Sequence, residues 1–145
     1  MDNAFDWMKD NDAALQENYK YTASDDACDK NYKKFPLRVT SYKAVPVSHE
    51  ALVDAIYEQP IAVAVQADQP AFRNYKEGIS TGCNKTQHDH GVVAVGYGVE
   101  GGVKFYLIRN SWGVRYGEAG YIRLAYGDDE AACGINMRAS YPYAI

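Results

Sequence analysis

Residues 92–97, Val103–Arg109 and 120–124 are β-branched or aromatic runs separated by glycine-rich turns such as Glu100-Gly101-Gly102. Runs of that length and spacing read as strands joined by tight turns. They commit the second half of the chain to a sheet or barrel. Directly before the first run stands a histidine, in the stretch DHGVVAVGYG from Asp89 to Gly98. Upstream the pattern changes. Met1, Ala4, Phe5 and Met8 recur at i, i+3/i+4 spacing with Asp and Lys between them, which reads as an amphipathic helix over residues 1 to 10.

Between these ends, residues 18–36 are polar and tyrosine-rich and read as an irregular crossing segment, and residues 37–45 alternate enough for a strand. Ser48 is a plausible N-cap for a helix over 49–59, with Leu52, Ala55 and Ile56 facing a core and Pro60 as its stop. Ile61–Val65 is an apolar run suited to a buried strand. Residues 70–75 read as a brief helical turn and 80–87 as a loop. One helix followed by several antiparallel strands gives an α+β class.

At 145 residues the chain has the length of one domain. A net charge of −4 argues against nucleic acid or an anionic membrane as partner. No window approaches the roughly 18 apolar residues of a spanning helix. The first residues carry neither a basic nor an apolar signal region. The cysteines are Cys28, Cys83 and Cys133. An odd count fits one disulfide plus a thiol whose partner lies elsewhere, or three reduced buried thiols. Asn84-Lys85-Thr86 is a glycosylation sequon, with Asn84 the acceptor in a secreted or endolysosomal protein.

His90 precedes one predicted strand and Asn110 follows the next. If the two strands form a hairpin, imidazole and amide lie at one end of the sheet. An amide oxygen accepting from one ring nitrogen fixes the tautomer and aims the other nitrogen at a third group. An amide orients the ring without adding charge.

DHGVVAVGYG, Tyr106-Leu107-Ile108-Arg109-Asn110-Ser111-Trp112-Gly113 and Gly117-Glu118-Ala119-Gly120-Tyr121-Ile122 together closely resemble the papain-like cysteine proteases, the cathepsin L group in particular. Met1-Asp2-Asn3-Ala4-Phe5, Tyr75-Lys76-Glu77-Gly78-Ile79, Cys133-Gly134-Ile135 and Ala139-Ser140-Tyr141-Pro142 extend the resemblance over nearly the whole chain. The resemblance implies a papain-like fold: residues 1–18 as the last helix of a helical N-terminal domain, and 19–145 as a crossing segment and C-terminal β domain.

It further implies that His90 is the catalytic histidine, Asn110 the residue orienting it, and Trp112 the indole shielding their hydrogen bond from water. In papain itself such a pairing lowers the cysteine pKa to about 3–4. Met1, Ala64, His88, Asp89, Gly91 and Arg138 would contact substrate. Arg138 would either meet an acidic side chain at the base of a pocket or turn outward to solvent. Cys83 and Cys133 would form the C-terminal disulfide, and Cys28 would lack its partner. No metal or cofactor is implied; the partners are a peptide or protein substrate, an N-terminal segment and an inhibitory propeptide. The implied location is secreted, lysosomal or endosomal.

One part of the pattern is not in these 145 residues. The family's C-G-[SA]-C-[WY] nucleophile motif lies roughly 130–150 residues before the histidine, whereas 89 residues precede His90. On that spacing at least about 40 residues lie upstream, with the nucleophile and an oxyanion-hole glutamine. The chain alone is then expected to be inert, either as part of a cysteine endopeptidase or as a non-catalytic module kept for binding or scaffolding. A second departure is Tyr116, where many relatives carry another tryptophan.

Overall fold

The computed structural model describes residues 1–83, 87–127 and 132–144, so the sequon at Asn84 lies outside the described residues. The chain divides into two compact units. One comprises residues 44–141 with Met1, and the other Asp2–Lys43 with the last residues from Pro142 on.

In the smaller unit, α1 spans Asp2–Asp10, with Asp2 in its first turn and Lys9 in its last, as the helix dipole favours. None of its residues is buried, although the Phe5 ring lies 5.9 Å from that of Tyr42. The segment read as irregular contains a short antiparallel ladder, β1 (Ala13–Ala14) against β2 (Lys34–Phe35). Two-residue strands carry no periodicity that could mark them. β3 follows at Val39–Ala44, and the Thr40 hydroxyl donates to the Tyr143 carbonyl at 3.1 Å.

The larger unit holds the main sheet. α2 (His49–Glu58) is capped by Ser48, whose extended backbone (φ −155°) lets its hydroxyl accept from the Ala51 amide at 3.0 Å. Leu52 and Ile56 on its inner face are buried against the sheet core. β4 (Ile61–Val65) alternates strictly, with Ile61, Val63 and Val65 fully buried. It pairs antiparallel with β6 (His90–Glu100) on one side and with the start of β9 (Ala139–Ala144) on the other. The next strands are β7 (Val103–Arg109) and β8 (Tyr121–Ala125), both antiparallel to their predecessors. Beyond β8 lies β5 (Ile79–Ser80), and this pairing is parallel. The expected all-antiparallel order therefore fails at the edge, and Ser80, read as loop, is strand. Short α3 (Pro70–Arg73) places Phe72 in the core.

Two local features fix the β6–β7 hairpin. Its turn is Gly101-Gly102, both at positive φ (58° and 81°), the left-handed geometry that matches strand twist. A bulge lies between Ala94 and Gly96, where Ala94 opposes Ile108 and Gly96 opposes Leu107.

The Cys83–Cys133 disulfide forms as the resemblance implies, with Cα atoms 4.8 Å apart. Cys133 lies in a 3-10 segment, Ala132–Met137, and adopts a left-handed conformation (φ 53°) that a non-glycine residue holds only at a cost. Cys28 is the free, exposed thiol.

Gly117 is the tightest glycine. Its φ is +49°, and a Cβ there would stand 2.7 Å from the Tyr75 ring and against the Tyr121 carbonyl. Gly117→Ala is expected to destabilise the fold by about 2–4 kcal/mol, combining left-handed strain with overpacking. Gly101→Ala, at φ +58° with open space around it, should lose about 1 kcal/mol. Urea unfolding of both variants checks the difference; equal midpoints would refute the packing argument.

Candidate active site

His90 opens β6 and Asn110 follows the last residue of β7, and Val93 pairs with Arg109. Hairpin pairing thus brings the two side chains to one end of the sheet, as the spacing predicts. His90 Nε2 lies 2.8 Å from Asn110 Oδ1. The amide's orientation is set independently, because Oδ1 also accepts from the Ser111 amide at 2.8 Å. An oxygen that already accepts can only accept again, so Nε2 carries the ring proton and Nδ1 presents a lone pair. Asn110 is 8% exposed, and His90 is half-buried. Burial protects a neutral hydrogen bond of this kind from exchange with water.

Trp112 stacks on the imidazole, with ring centres 5.0 Å apart and planes at 29°. It remains 45% exposed, so it covers the ring from one side. Of the other aromatic neighbours, Tyr116 stands out in the sequence as a departure from the family pattern, and Phe72 does not stand out. Phe72 stands edge-on to both His90 (6.1 Å) and Trp112 (5.6 Å), and Tyr116 edge-on to Trp112 at 5.1 Å. Nothing in the spacing of residues 70–75 reveals that α3 would carry a ring to His90. The Tyr116 hydroxyl donates to the Phe72 carbonyl at 2.8 Å, and burial pushes its pKa up.

The loop between β7 and β8 is pinned at both ends. The Asn110 backbone N–H donates to the Gly120 carbonyl at 3.0 Å. Glu118 takes two hydrogen bonds from Arg123, at 2.7 and 2.9 Å, and a third from the Gly78 amide at 3.0 Å. The Arg123 guanidinium holds the Glu118 carboxyl below its usual pKa. That ion pair also explains the parallel β5–β8 contact, since Gly78 adjoins β5 and Arg123 lies in β8.

The remaining residues singled out from the sequence fall as follows. Ala64 pairs with Gly91 across β4 and β6, and its amide donates to the Arg138 carbonyl at 2.9 Å. His88 Nε2 donates to the Gly134 carbonyl at 3.0 Å. The backbone thus gathers Ala64, Gly91 and Arg138, while the Arg138 and Met1 side chains are exposed. The Asp89 carboxylate accepts from the Ala67 and Asp68 amides at 2.7 and 3.2 Å, closing the turn after β4. Its side chain is therefore engaged with the protein's own backbone. Among the described residues no cluster of His, Cys, Asp and Glu could hold a metal ion, and no helix is long and apolar enough to cross a membrane. Cavities of about 520 Å³ beside His49 and Tyr126 and about 320 Å³ beside Tyr19 and Asp29 lie away from His90's neighbours.

The papain family cysteine protease model matches residues 1–143. The cysteine endopeptidase RepA of Oryza sativa subsp. japonica is 44% identical over 149 residues, covering 98% of this chain and 39% of the relative. Among solved structures, bromelain protease from Ananas comosus with the E64 inhibitor superposes with a TM-score of 0.86 at 36% identity, covering 97% of this chain and 67% of that one. The ragweed pollen cysteine protease Amb a 11, in its proform, gives 0.90 at 36% identity, covering 98% and 44%. The chain spans about a third to under a half of the length of the curated relatives it matches.

Proposed function

Because this chain belongs to the papain family of cysteine proteases, we propose that it is the histidine- and asparagine-bearing portion of an endopeptidase that hydrolyses peptide bonds. The observation that carries this reading is the 2.8 Å His90 Nε2–Asn110 Oδ1 bond, which leaves the Nδ1 lone pair as the working one. A structural histidine needs a satisfied ring; a catalytic one needs one nitrogen held and the other available.

The nucleophile is proposed to come from outside these 145 residues. Cys83 and Cys133 are consumed by their disulfide, and Cys28 lies in no nucleophile motif. With a thiol presented to Nδ1, the proton passes to the ring and the pair rests as thiolate and imidazolium. The thiolate attacks the peptide carbonyl carbon, and the imidazolium returns its proton to the leaving amine as the C–N bond breaks. Water then gives a proton to Nδ1 while its oxygen attacks the thioester, releasing the carboxylic acid and restoring the thiolate. Asn110 keeps the ring from turning through both transfers.

Met1, Ala64, His88, Asp89, Gly91 and Arg138 form the proposed substrate wall. The backbone junction of Ala64, Gly91 and Arg138 supports it, and the exposed Arg138 guanidinium suits an acidic side chain. Residues 1–18 are proposed to complete a helical domain contributed upstream. The proform of the ragweed relative supports an inhibitory propeptide as partner. The disulfide supports an oxidising location, secreted or endolysosomal.

The test is to co-express this chain with a cysteine-bearing upstream segment and assay hydrolysis of a fluorogenic peptide at acidic pH, with E-64 as active-site titrant. Hydrolysis abolished by E-64 is expected from the pair, and none from this chain alone. A folded complex that neither cleaves nor reacts with E-64 would instead favour the scaffolding module.

A further inference from the structure

Asn110 uses only half of its amide in the bonds described above. Oδ1 serves His90 and Ser111, but Nδ2 is buried and meets no acceptor at hydrogen-bonding geometry among the described residues. A buried amide donor without an acceptor is costly, and such groups in folded proteins call for a partner. Tyr116, 9% exposed, belongs to the same cluster: its ring lies 5.1 Å from that of Trp112. Its carbonyl accepts from the Gly120 N–H, whose own carbonyl takes the Asn110 backbone N–H. The family resemblance places a second tryptophan at this position. The Tyr116 hydroxyl spends its proton on the Phe72 carbonyl at 2.8 Å, which leaves its oxygen lone pairs for a donor. Burial raises the pKa of this phenol, while the Asn110 side chain acts in the opposite direction, as a donor facing the phenol oxygen does. The terminal torsion of asparagine is broad, so a small rotation of the amide completes that bond.

We propose that Tyr116 is a positioning residue: its phenol oxygen accepts from Asn110 Nδ2 and thereby locks the amide with Oδ1 toward His90. The relay runs from the Phe72 carbonyl through the Tyr116 hydroxyl and the Asn110 amide to His90 Nε2. Its effect is on the tautomer. If the amide turns over, Nδ2 faces the ring, Nε2 must become an acceptor, and the proton moves to Nδ1. Nδ1 then cannot take a proton from a thiol. Ser111 opposes this flip through Oδ1, and Tyr116 opposes it through Nδ2. A tryptophan at 116 would supply an aromatic edge but no acceptor, since its indole N–H only donates.

This inference deepens the peptidase reading and rests on it for its catalytic meaning, but its test does not need a thiolate. In the full-length protein, long-range ¹H–¹⁵N correlation of the neutral His90 ring reads the tautomer directly. The wild type is expected to hold the proton on Nε2. Tyr116→Phe and Tyr116→Trp are both expected to raise the ratio of Nδ1–H to Nε2–H forms by about 2- to 12-fold, the range that one neutral hydrogen bond supports. The aromatic volume kept in Tyr116→Trp guards against a merely structural loss, and thermal melts report whether each variant is folded. An unchanged tautomer ratio in the folded variants would overturn the proposal. In an active enzyme any loss should fall on kcat, in proportion to the loss of the Nε2–H form, with KM unmoved; a loss carried by KM instead would also overturn it. A tautomer shift in the Tyr116 variants together with an assembled wild type that cleaves no peptide would refute the peptidase reading and leave Tyr116's role standing.

Discussion

His90→Ala in the assembled peptidase is expected to lower kcat/KM by about 10⁴-fold or more, with the melting temperature nearly unchanged. The size follows from the double duty of one ring. Without it no group takes the thiol proton, and none returns a proton to the leaving amine. The stability expectation follows from placement: His90 is half-buried at the end of β6, while the strand's buried side chains are Val92 and Ala94. Asn110→Ala should lose less, because the imidazole remains and only its orientation is released. Steady-state kinetics on both variants, normalised by active-site titration, provide the check. Equal losses at the two positions would mean that His90 acts as a structural partner of Asn110 and that the proton-transfer role is wrong.

Removing the disulfide is the second large effect. Cys83 and Cys133 close a loop of 50 residues, and the chain-entropy relation gives about 4 kcal/mol for a loop of that size. That is a large share of the 5–15 kcal/mol that holds a typical domain together. The Cys83→Ala/Cys133→Ala double variant keeps residue 133 in its left-handed conformation but loses the bond that helps hold it there. Guanidinium unfolding with and without reductant measures the effect; a difference under about 1 kcal/mol would contradict the loop-closure account. Function should follow stability, since the same segment presents the Gly134 carbonyl that receives His88, two residues before His90.

The sequence exposes the His90–Asn110 meeting because it depends on connectivity alone: the start of one hairpin strand and the end of its partner share an edge. α2 is equally readable, since Ser48 supplies the cap chemistry and Pro60 the stop. Other parts depend on contacts between distant residues. The parallel β5–β8 contact requires Glu118 to reach both Gly78 and Arg123, and no local pattern at residues 79–80 announces it. The left-handed Cys133 runs against the preference of any L-residue and exists because its surroundings impose it. Phe72 reads as part of a brief helical turn until its ring is seen edge-on to the imidazole, and Tyr116 is marked only as a departure from the family pattern until its ring is seen against Trp112. Asp89 carries a further contact that no local pattern announces: its carboxylate accepts from the Ala67 and Asp68 amides across the turn after β4.

The bulge at Val95 divides the long hairpin mechanically. On the near side, Val93 and Ala94 keep register with Arg109 and Ile108, and these pairs carry His90 and Asn110. On the far side, the ladder from Gly96 to the Gly101-Gly102 turn runs one residue out of step. A slip or a change of turn length beyond the break is taken up by residues that already sit in a shifted register. The end of the sheet that brings His90 to Asn110 thus keeps a register of its own, distinct from that of the end that bends back.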